Sequence, residues 1–346
     1  MSLRSWLKKT STAPSWVARR LRLASSRRSV ASRTTSPAEP LTVDSYRHDG
    51  LTFDVLDQGP TDGIPVVLLH GFPQDATSWA RVSDLLVAAG CRTLAPDQRG
   101  YSPGARPPEI SAYAVRHLVG DVVALLDAAG LERTHLVGHD WGGGVAWECA
   151  ARHPGRFASL TVVSTPHPRA LDWAFRHSDQ GLRSWYMLAF QLPWLPERLL
   201  VRGFSARLQR TGMPPALAEH YAARFATPAD LFGPVAWYRA AFALPQPGRV
   251  RPPILSNSPS ARAARDPDAR ETRETREARE TRHTVTIPTT YVWGNTDFAL
   301  GRAAAERTAR HVSGDYRFVE LDGGHWLPET HPEELAGEIL ARAAAS

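Results

Sequence analysis

Apolar residues along this chain alternate between two periods. From about residue 41, an alternating apolar–polar segment at 51–56 leads through a turn cluster at 59–63 into the run PVVLLH at 65–70. An unbroken apolar, β-branched run of that length is expected of a strand buried on both faces of a parallel sheet. Helical spacing takes over at 79–89 and stops at Gly90, a favourable C-cap residue. A strand is predicted at 92–95, closed by Pro96. An amphipathic helix follows at 112–129, with Val115, Leu118, Val119, Val122, Val123, Leu125 and Leu126 on its stripe and Gly130 as its stop. A strand at 134–137, a helix at 142–152 and a strand at 159–164 continue the series. Strands alternating with helices predict βαβ units, hence an α/β fold with a doubly wound, mostly parallel sheet.

The alternation breaks at Thr165. Residues 166–245 are rich in Trp, Tyr, Pro and Arg and carry helical signals only. It resumes with a strand at 289–293, a helix at 302–311, a strand at 316–321 and a helix at 332–344. A core in two parts, 41–165 and 286–346, with an inserted helical lid at 166–245, is the expected organisation. Residues 246–285 fit neither part. They contain ARETRETREARETR, with Arg at 270, 273, 276, 279 and 282. On a helix its Arg-to-Glu i,i+4 pairs would run against the dipole and contribute only about a few tenths of a kcal/mol each. With no apolar stripe, the segment reads as a solvated, disordered low-complexity insertion; a protein-binding role is the alternative.

Composition narrows the classes. The 346 residues hold 41 Lys+Arg and 35 Asp+Glu, a formal charge of +6. Residues 1–40 carry nine of the basic side chains and only Glu39 on the acidic side, which leaves 32 basic and 34 acidic residues, a net −2, for the rest. The excess charge belongs to the leader, and a nucleic-acid partner, which needs a basic face on the folded part, is not expected. The leader is Arg/Ser-rich without an apolar h-region, so it reads as a disordered basic segment or a start placed too far upstream rather than a secretory signal. Cys91 and Cys149 give neither a disulfide framework nor zinc spacing, and a reduced, cytoplasmic setting is the default. No run approaches the roughly 18 apolar residues of a membrane span.

The motif Gly138-His139-Asp140-Trp141-Gly142 follows a predicted strand and opens a predicted helix. That is a nucleophile elbow with Asp where serine hydrolases place Ser. A carboxylate attacks through oxygen without first losing a proton, and forms an ester. Displacement at an sp³ carbon followed by ester hydrolysis is the chemistry this suits. The alternative is an Asp that merely caps the following helix. An acid and a histidine follow in the order this fold uses: Asp297 after the strand at 289–293, and His325 after the strand at 316–321, in the context Gly323-Gly324-His325-Trp326. Both sit at strand C-terminal ends, where open parallel sheets assemble their sites. The loop His70-Gly71-Phe72-Pro73 follows the first buried strand; the backbone N–H groups of Phe72 and Trp141 are the expected oxyanion hole, with His70 structural. Cys149 reads as core.

These blocks resemble the α/β-hydrolase family, and within it the epoxide hydrolases, over 41–254 and 285–343. HGFP at 70–73, DQRGYS at 97–102, GHDWGG at 138–143, GNTD at 294–297 and GGHW at 323–326 carry the likeness. Two lid segments sharpen it: SWYMLAFQ at 184–191 and GPVAWYR at 233–239 resemble those that carry the two lid tyrosines. The resemblance implies that Tyr186 and Tyr238 hold the epoxide oxygen and protonate the departing alkoxide, an acid assistance that this poor leaving group requires. It implies a cofactor-free, metal-free hydrolase turning a hydrophobic epoxide and water into a vicinal diol. The leader and the Arg/Glu-rich insertion depart from the pattern. A haloalkane or haloacid dehalogenase with the same Asp140 is the alternative, disfavoured by Phe72 and Trp141 where those enzymes usually place Asn and Arg. A non-catalytic small-molecule receptor is the second. The aromatic lid (Trp173, Phe175, Trp185, Phe190, Trp194, Phe232, Trp237) favours an apolar substrate.

Overall fold

The computed structural model describes residues 42–242 and 284–346. The basic leader and the Arg/Glu-rich repeat at 270–282 lie outside the described residues.

Eight strands form one sheet: β1 (Ser45–His48), β2 (Leu51–Gln58), β3 (Ile64–Leu69), β4 (Cys91–Pro96), β5 (Thr134–His139), β6 (Phe157–Val163), β7 (Thr289–Gly294) and β8 (Tyr316–Leu321). Their order is β1-β2-β4-β3-β5-β6-β7-β8. β1 pairs antiparallel with β2, and β2 with β4; every later pairing is parallel. The doubly wound α/β fold read from the sequence is thus the fold observed. Strand β1, which has no apolar alternation of its own, was not expected. It is held by pairing with β2 and by Tyr46, stacked on Phe53 at 4.8 Å.

Within β3 the period of two divides the side chains. Val67 and Leu69 join one core, with α2 (Val115–Ala128) and α3 (Trp141–Arg152); Val66 and Leu68 join the other, with α1 (Ala80–Ala88). Each fully buried side chain of this kind contributes about 1.5–3 kcal/mol, and helices cover both faces of the strand.

Between β6 and β7 the described residues of the lid form seven helices: α4 (Pro168–His177), α5 (Gln180–Arg183), α6 (Trp185–Ala189), α7 (Leu195–Val201), α8 (Phe204–Arg210), α9 (Pro215–Arg224) and α10 (Pro228–Phe242). The chain closes with α11 (Arg302–Arg307), α12 (Leu327–Thr330) and α13 (Pro332–Ala344), which packs Leu335 and Ile339 into the second core.

Two helices depart from their expected bounds. The one expected at 112–129 begins at Val115, because Ala114 is extended and the preceding turn (Ile110–Tyr113) is a 3₁₀ helix. The one expected at 302–311 tightens to a 3₁₀ turn after Arg307, where Thr308 bonds back to the Ala304 carbonyl. Among the described residues, no helix is long and apolar enough to cross a membrane.

Candidate active site

Strand order builds the site. β3 has β4 on one side and β5 on the other, so the chain reverses direction across the sheet there. The loops after β3 and β5 flank the crevice such a reversal leaves. Phe72 follows β3 and Asp140 follows β5. Asp140 stands at φ 49°, ψ −121°, a conformation a non-glycine residue rarely adopts and that costs about 1–3 kcal/mol. Its backbone is over-determined: the carbonyl accepts from Gly144 N–H at 3.0 Å and Thr165 Oγ1 at 2.6 Å, and its own N–H reaches the Val163 carbonyl at 3.3 Å. Two glycines make room. A Cβ on Gly71 would collide with the Asp140 side chain, and one on Gly142 would collide with the Leu69 carbonyl.

The three residues of the expected triad come together. His325 Nδ1 and Asp297 Oδ2 are 2.8 Å apart, and His325 Nε2 faces Asp140 Oδ2 at 3.6 Å. Asp297 Oδ1 accepts the Ala299 and Leu300 N–H groups at 2.8 and 3.0 Å, so that carboxylate is fixed by its own loop. Burial alone would lower the His325 pKa, but the Asp297 and Asp140 carboxylates outweigh it and push it up to about 10. Burial would raise Asp140, yet His325 and the Phe72 N–H hold its carboxyl below the usual range. Both shifts favour the charged forms, Asp140 as carboxylate and His325 as imidazolium.

Phe72 N–H donates to Asp140 Oδ1 at 2.7 Å. Trp141 is the first residue of α3, so its N–H has no intrahelical acceptor and stands beside the same carboxylate's backbone. His70 is fully buried and spends both ring nitrogens on backbone: Gln98 N–H donates to Nε2, and Nδ1–H donates to the Gly71 carbonyl.

Above the sheet, Tyr186 on α6 and Tyr238 on α10 approach one another with ring centroids 6.1 Å apart. Tyr238 packs edge-on against Trp141 and Phe72 at 4.9 and 5.4 Å. Burial, followed by the negative charge of Asp140, raises the Tyr186 phenol far above its ordinary value. Burial, followed by Tyr186 and Asp140, does the same to Tyr238. Both stay protonated, so each keeps an O–H to donate. The helix that carries Tyr238 is tied on both sides: Trp237 Nε1 donates to the Arg99 carbonyl at 2.8 Å, and Arg239 pairs with buried Glu197 at 2.5 Å while donating to the Phe190 and Leu192 carbonyls.

One cavity of about 600 Å³ joins these groups, lined by Asp140, His325, Phe72, Tyr186 and Tyr238 and by apolar lid residues. Of the seven aromatics that make the lid apolar in the sequence, Trp185 and Phe190 line it. Trp237 faces Arg99, Trp173 stacks on His177 and Trp194 is exposed.

Three residues of the site were missed. Gln74 Oε1 accepts the Gly71 N–H at 3.0 Å and lies 2.8 Å from His139 Nδ1; Gln74 Nε2 donates to Glu329 at 2.5 Å. His139 Nε2 reaches the His325 carbonyl at 2.9 Å, and burial, then the His325 charge, push its pKa down to about 3. This chain of contacts runs behind the catalytic loops. Its signal was adjacency alone: Gln74 follows the HGFP block, His139 precedes Asp140 and Glu329 follows the GGHW block.

The model of the family described as alpha/beta hydrolase fold matches residues 64–332. Epoxide hydrolase A of Mycobacterium tuberculosis is 34% identical over 312 residues, 84% of this chain and 94% of that protein. Epoxide hydrolase 3 of Mus musculus is 30% identical over 307 residues, 85% of this chain and 74% of that protein. Among solved structures, the crystal structure of Epoxide Hydrolase A from Mycobacterium thermoresistibile superposes with a TM-score of 0.67 at 26% identity, covering 86% of this chain and 96% of that one.

Proposed function

The chain belongs to the α/β-hydrolase fold family and to its epoxide hydrolases, and from that premise we propose that it opens a hydrophobic epoxide to a vicinal diol through an ester on Asp140. The observation that carries the reading is one cavity in which an ionised carboxylate, Asp140, is roofed by two phenols held protonated, Tyr186 and Tyr238.

The ring oxygen is bound by the two phenol hydroxyls, and Asp140 Oδ2 attacks an epoxide carbon from below. The C–O bond breaks, a phenol proton passes to the alkoxide, and a hydroxyalkyl ester remains. Ester formation removes the charge of Asp140, one of the two carboxylates that hold the His325 pKa high. With that charge gone the His325 imidazolium is a stronger acid: it gives its proton to the phenolate, and the neutral ring, oriented by Asp297, deprotonates a water. Hydroxide adds to the Asp140 carboxyl carbon. The Phe72 and Trp141 N–H groups stabilise the oxyanion, each worth about 3 kcal/mol in comparable holes. Collapse breaks the ester C–O bond, the imidazolium just formed protonates the departing alkoxide, and the diol leaves with one hydroxyl oxygen that came from Asp140; the proton of the regenerated Asp140 carboxyl returns to His325. The chemistry calls on no cofactor; the partners are a neutral small molecule and water.

Two protonated phenols favour an epoxide over a halide, since a departing halide takes no proton. A single turnover with styrene oxide in ¹⁸O water, followed by mass spectrometry of the peptide containing Asp140, tests the route. One ¹⁸O in Asp140 and none in the first diol is the expected result; label in the diol with none in Asp140 rules the ester out.

A further inference from the structure

Nine large hydrophobic side chains are exposed among the described residues, and seven of them gather around the lid. Leu182, Trp185, Leu192, Leu199 and Phe298 are exposed and also line the active-site cavity, so they ring its mouth. Leu188 and Trp194, 71% and 60% exposed, extend the same surface outside the cavity. A patch gathered in this way marks an interaction face, which scattered single exposures would not.

Charge identifies what the face fits. The lid, residues 166–242, holds nine Arg and five Asp or Glu, a net +4 against the near-neutral balance of the chain beyond its leader. Four of those arginines, Arg198, Arg202, Arg207 and Arg210, lie on α7 and α8 and the turn between them, and all four are exposed. No acidic residue occurs between 198 and 218, and none of the four has an ion pair among the described residues. Arg198 lies 5.0 Å over the ring of Trp194 and holds that indole outward. A second copy of the chain related by a two-fold axis would set four unpaired arginines against the same four. The basic leader would repel them too. An apolar patch of Trp and Leu interleaved with unpaired Arg matches the boundary of an anionic phospholipid layer, where indole rings sit at headgroup level and guanidinium groups reach the phosphates.

We infer that the lid surface around the cavity mouth docks on anionic phospholipid surfaces, with Leu188 and Trp194 entering the headgroup boundary and Arg198, Arg202 and Arg210 pairing with phosphate. The cavity then opens onto the phase in which an apolar substrate is concentrated. Docking itself needs no turnover, so its test is separate from that of the chemistry.

Cys91 and Cys149 are both buried, so a Leu188→Cys substitution in the full chain directs an environment-sensitive nitrobenzoxadiazole label to the lid. Vesicles of phosphatidylcholine mixed with phosphatidylglycerol shift its emission to the blue, phosphatidylcholine alone does not, and salt reverses the shift. Arg198→Gln/Arg202→Gln/Arg210→Gln lowers the partition into those vesicles on the order of a hundredfold, with an unchanged melting temperature and unchanged hydrolysis of a water-soluble epoxide. No blue shift on anionic vesicles overturns the inference. So does equal partition of the triple variant, which would assign binding to another part of the chain. So does a label already buried without vesicles, which would mean that another segment or a second copy covers the face.

Discussion

Asp297 stands behind His325 on the sheet side of the cavity and Tyr186 lines the lid side, and they are fixed by different means. Asp297 sits in the loop after β7, accepts two N–H groups of its own loop and meets His325 at 2.8 Å. Tyr186 sits half-buried on α6, a helix of five residues with exposed Trp185 and Leu188 beside it. The sheet edge holds its groups through backbone geometry that cannot move without breaking β pairing. The lid holds its groups through a few side-chain ties between short helices. Local stability is expected to follow the same division, with the lid opening more readily than the sheet. The division also follows the proposed chemistry, in which the groups on the sheet make and hydrolyse the ester and the groups on the lid supply the proton for ring opening.

Substitutions on the two walls should therefore stop the reaction at different points, and this is the largest effect expected. His325→Gln leaves Asp140 and both phenols in place, so ester forms and persists while turnover falls by about 10⁴-fold. Intact-protein mass spectrometry after mixing with epoxide should show one adduct per chain. Tyr186→Phe/Tyr238→Phe should show the reverse, with ester formation slowed by about 10²–10⁴-fold and no adduct accumulating. An adduct in the tyrosine variant at the wild-type rate would remove the lid from the chemistry.

The next effect is on the lid's ties. Arg239→Met leaves the Glu197 carboxylate buried beside α10 without its partner, which costs about 3–5 kcal/mol. Adding Glu197→Leu removes the stranded charge and should recover most of that loss. Urea midpoints read the stability, and the ester-forming rate reads whether Tyr238 keeps its place. Full recovery of stability without recovery of the rate would show that the ion pair positions Tyr238; recovery of both would show that packing alone does so.

Legibility in the sequence divides along the same line as the structure. Asp140, Asp297, His325 and Phe72 were found because each lies just past a strand with its own periodicity, and turns that demand glycine surround Asp140. Position in a strand–loop unit is local information. Arg239 and Glu197 are 42 residues apart on helices whose apolar positions show no clean stripe, so nothing local pairs them. The lid aromatics are legible only as a group for the same reason: composition says that they are apolar, but only packing tells Phe190, in the cavity, from Trp194, outside it. Strand β1 was invisible because its order comes from its neighbour. Tyr186 and Tyr238 were legible only through the likeness of their segments to a known family.

Glu329 joins the two walls, and a smaller effect should locate it. It lies on α12, just past the His325 loop; its Oε1 accepts from Gln74 at 2.5 Å and from Tyr221 of the lid at 3.4 Å, while its Oε2 is buried without a partner. Burial pushes its carboxyl up to about 7, against the lowering effect of the Gln74 hydrogen bond. An acid whose folded pKa exceeds its unfolded value of about 4.5 favours the folded state most when protonated. Its contribution is therefore complete below about pH 4.5 and is lost as pH rises through about 7, a swing of about 3 kcal/mol at most. Glu329→Gln keeps the shape and a neutral group at every pH, so its urea midpoint should fall less between those pH values than that of the wild type. Parallel curves would mean that the carboxylate is accommodated when ionised. Because Gln74 also holds the Gly71 N–H, one residue from Phe72, the proposed oxyanion donor, ionised Glu329 and neutral Gln at that position should differ in ester hydrolysis by no more than about tenfold. A larger difference would place the proton on Glu329 in the chemistry itself, and the separation of the two walls would fail at the point where they touch.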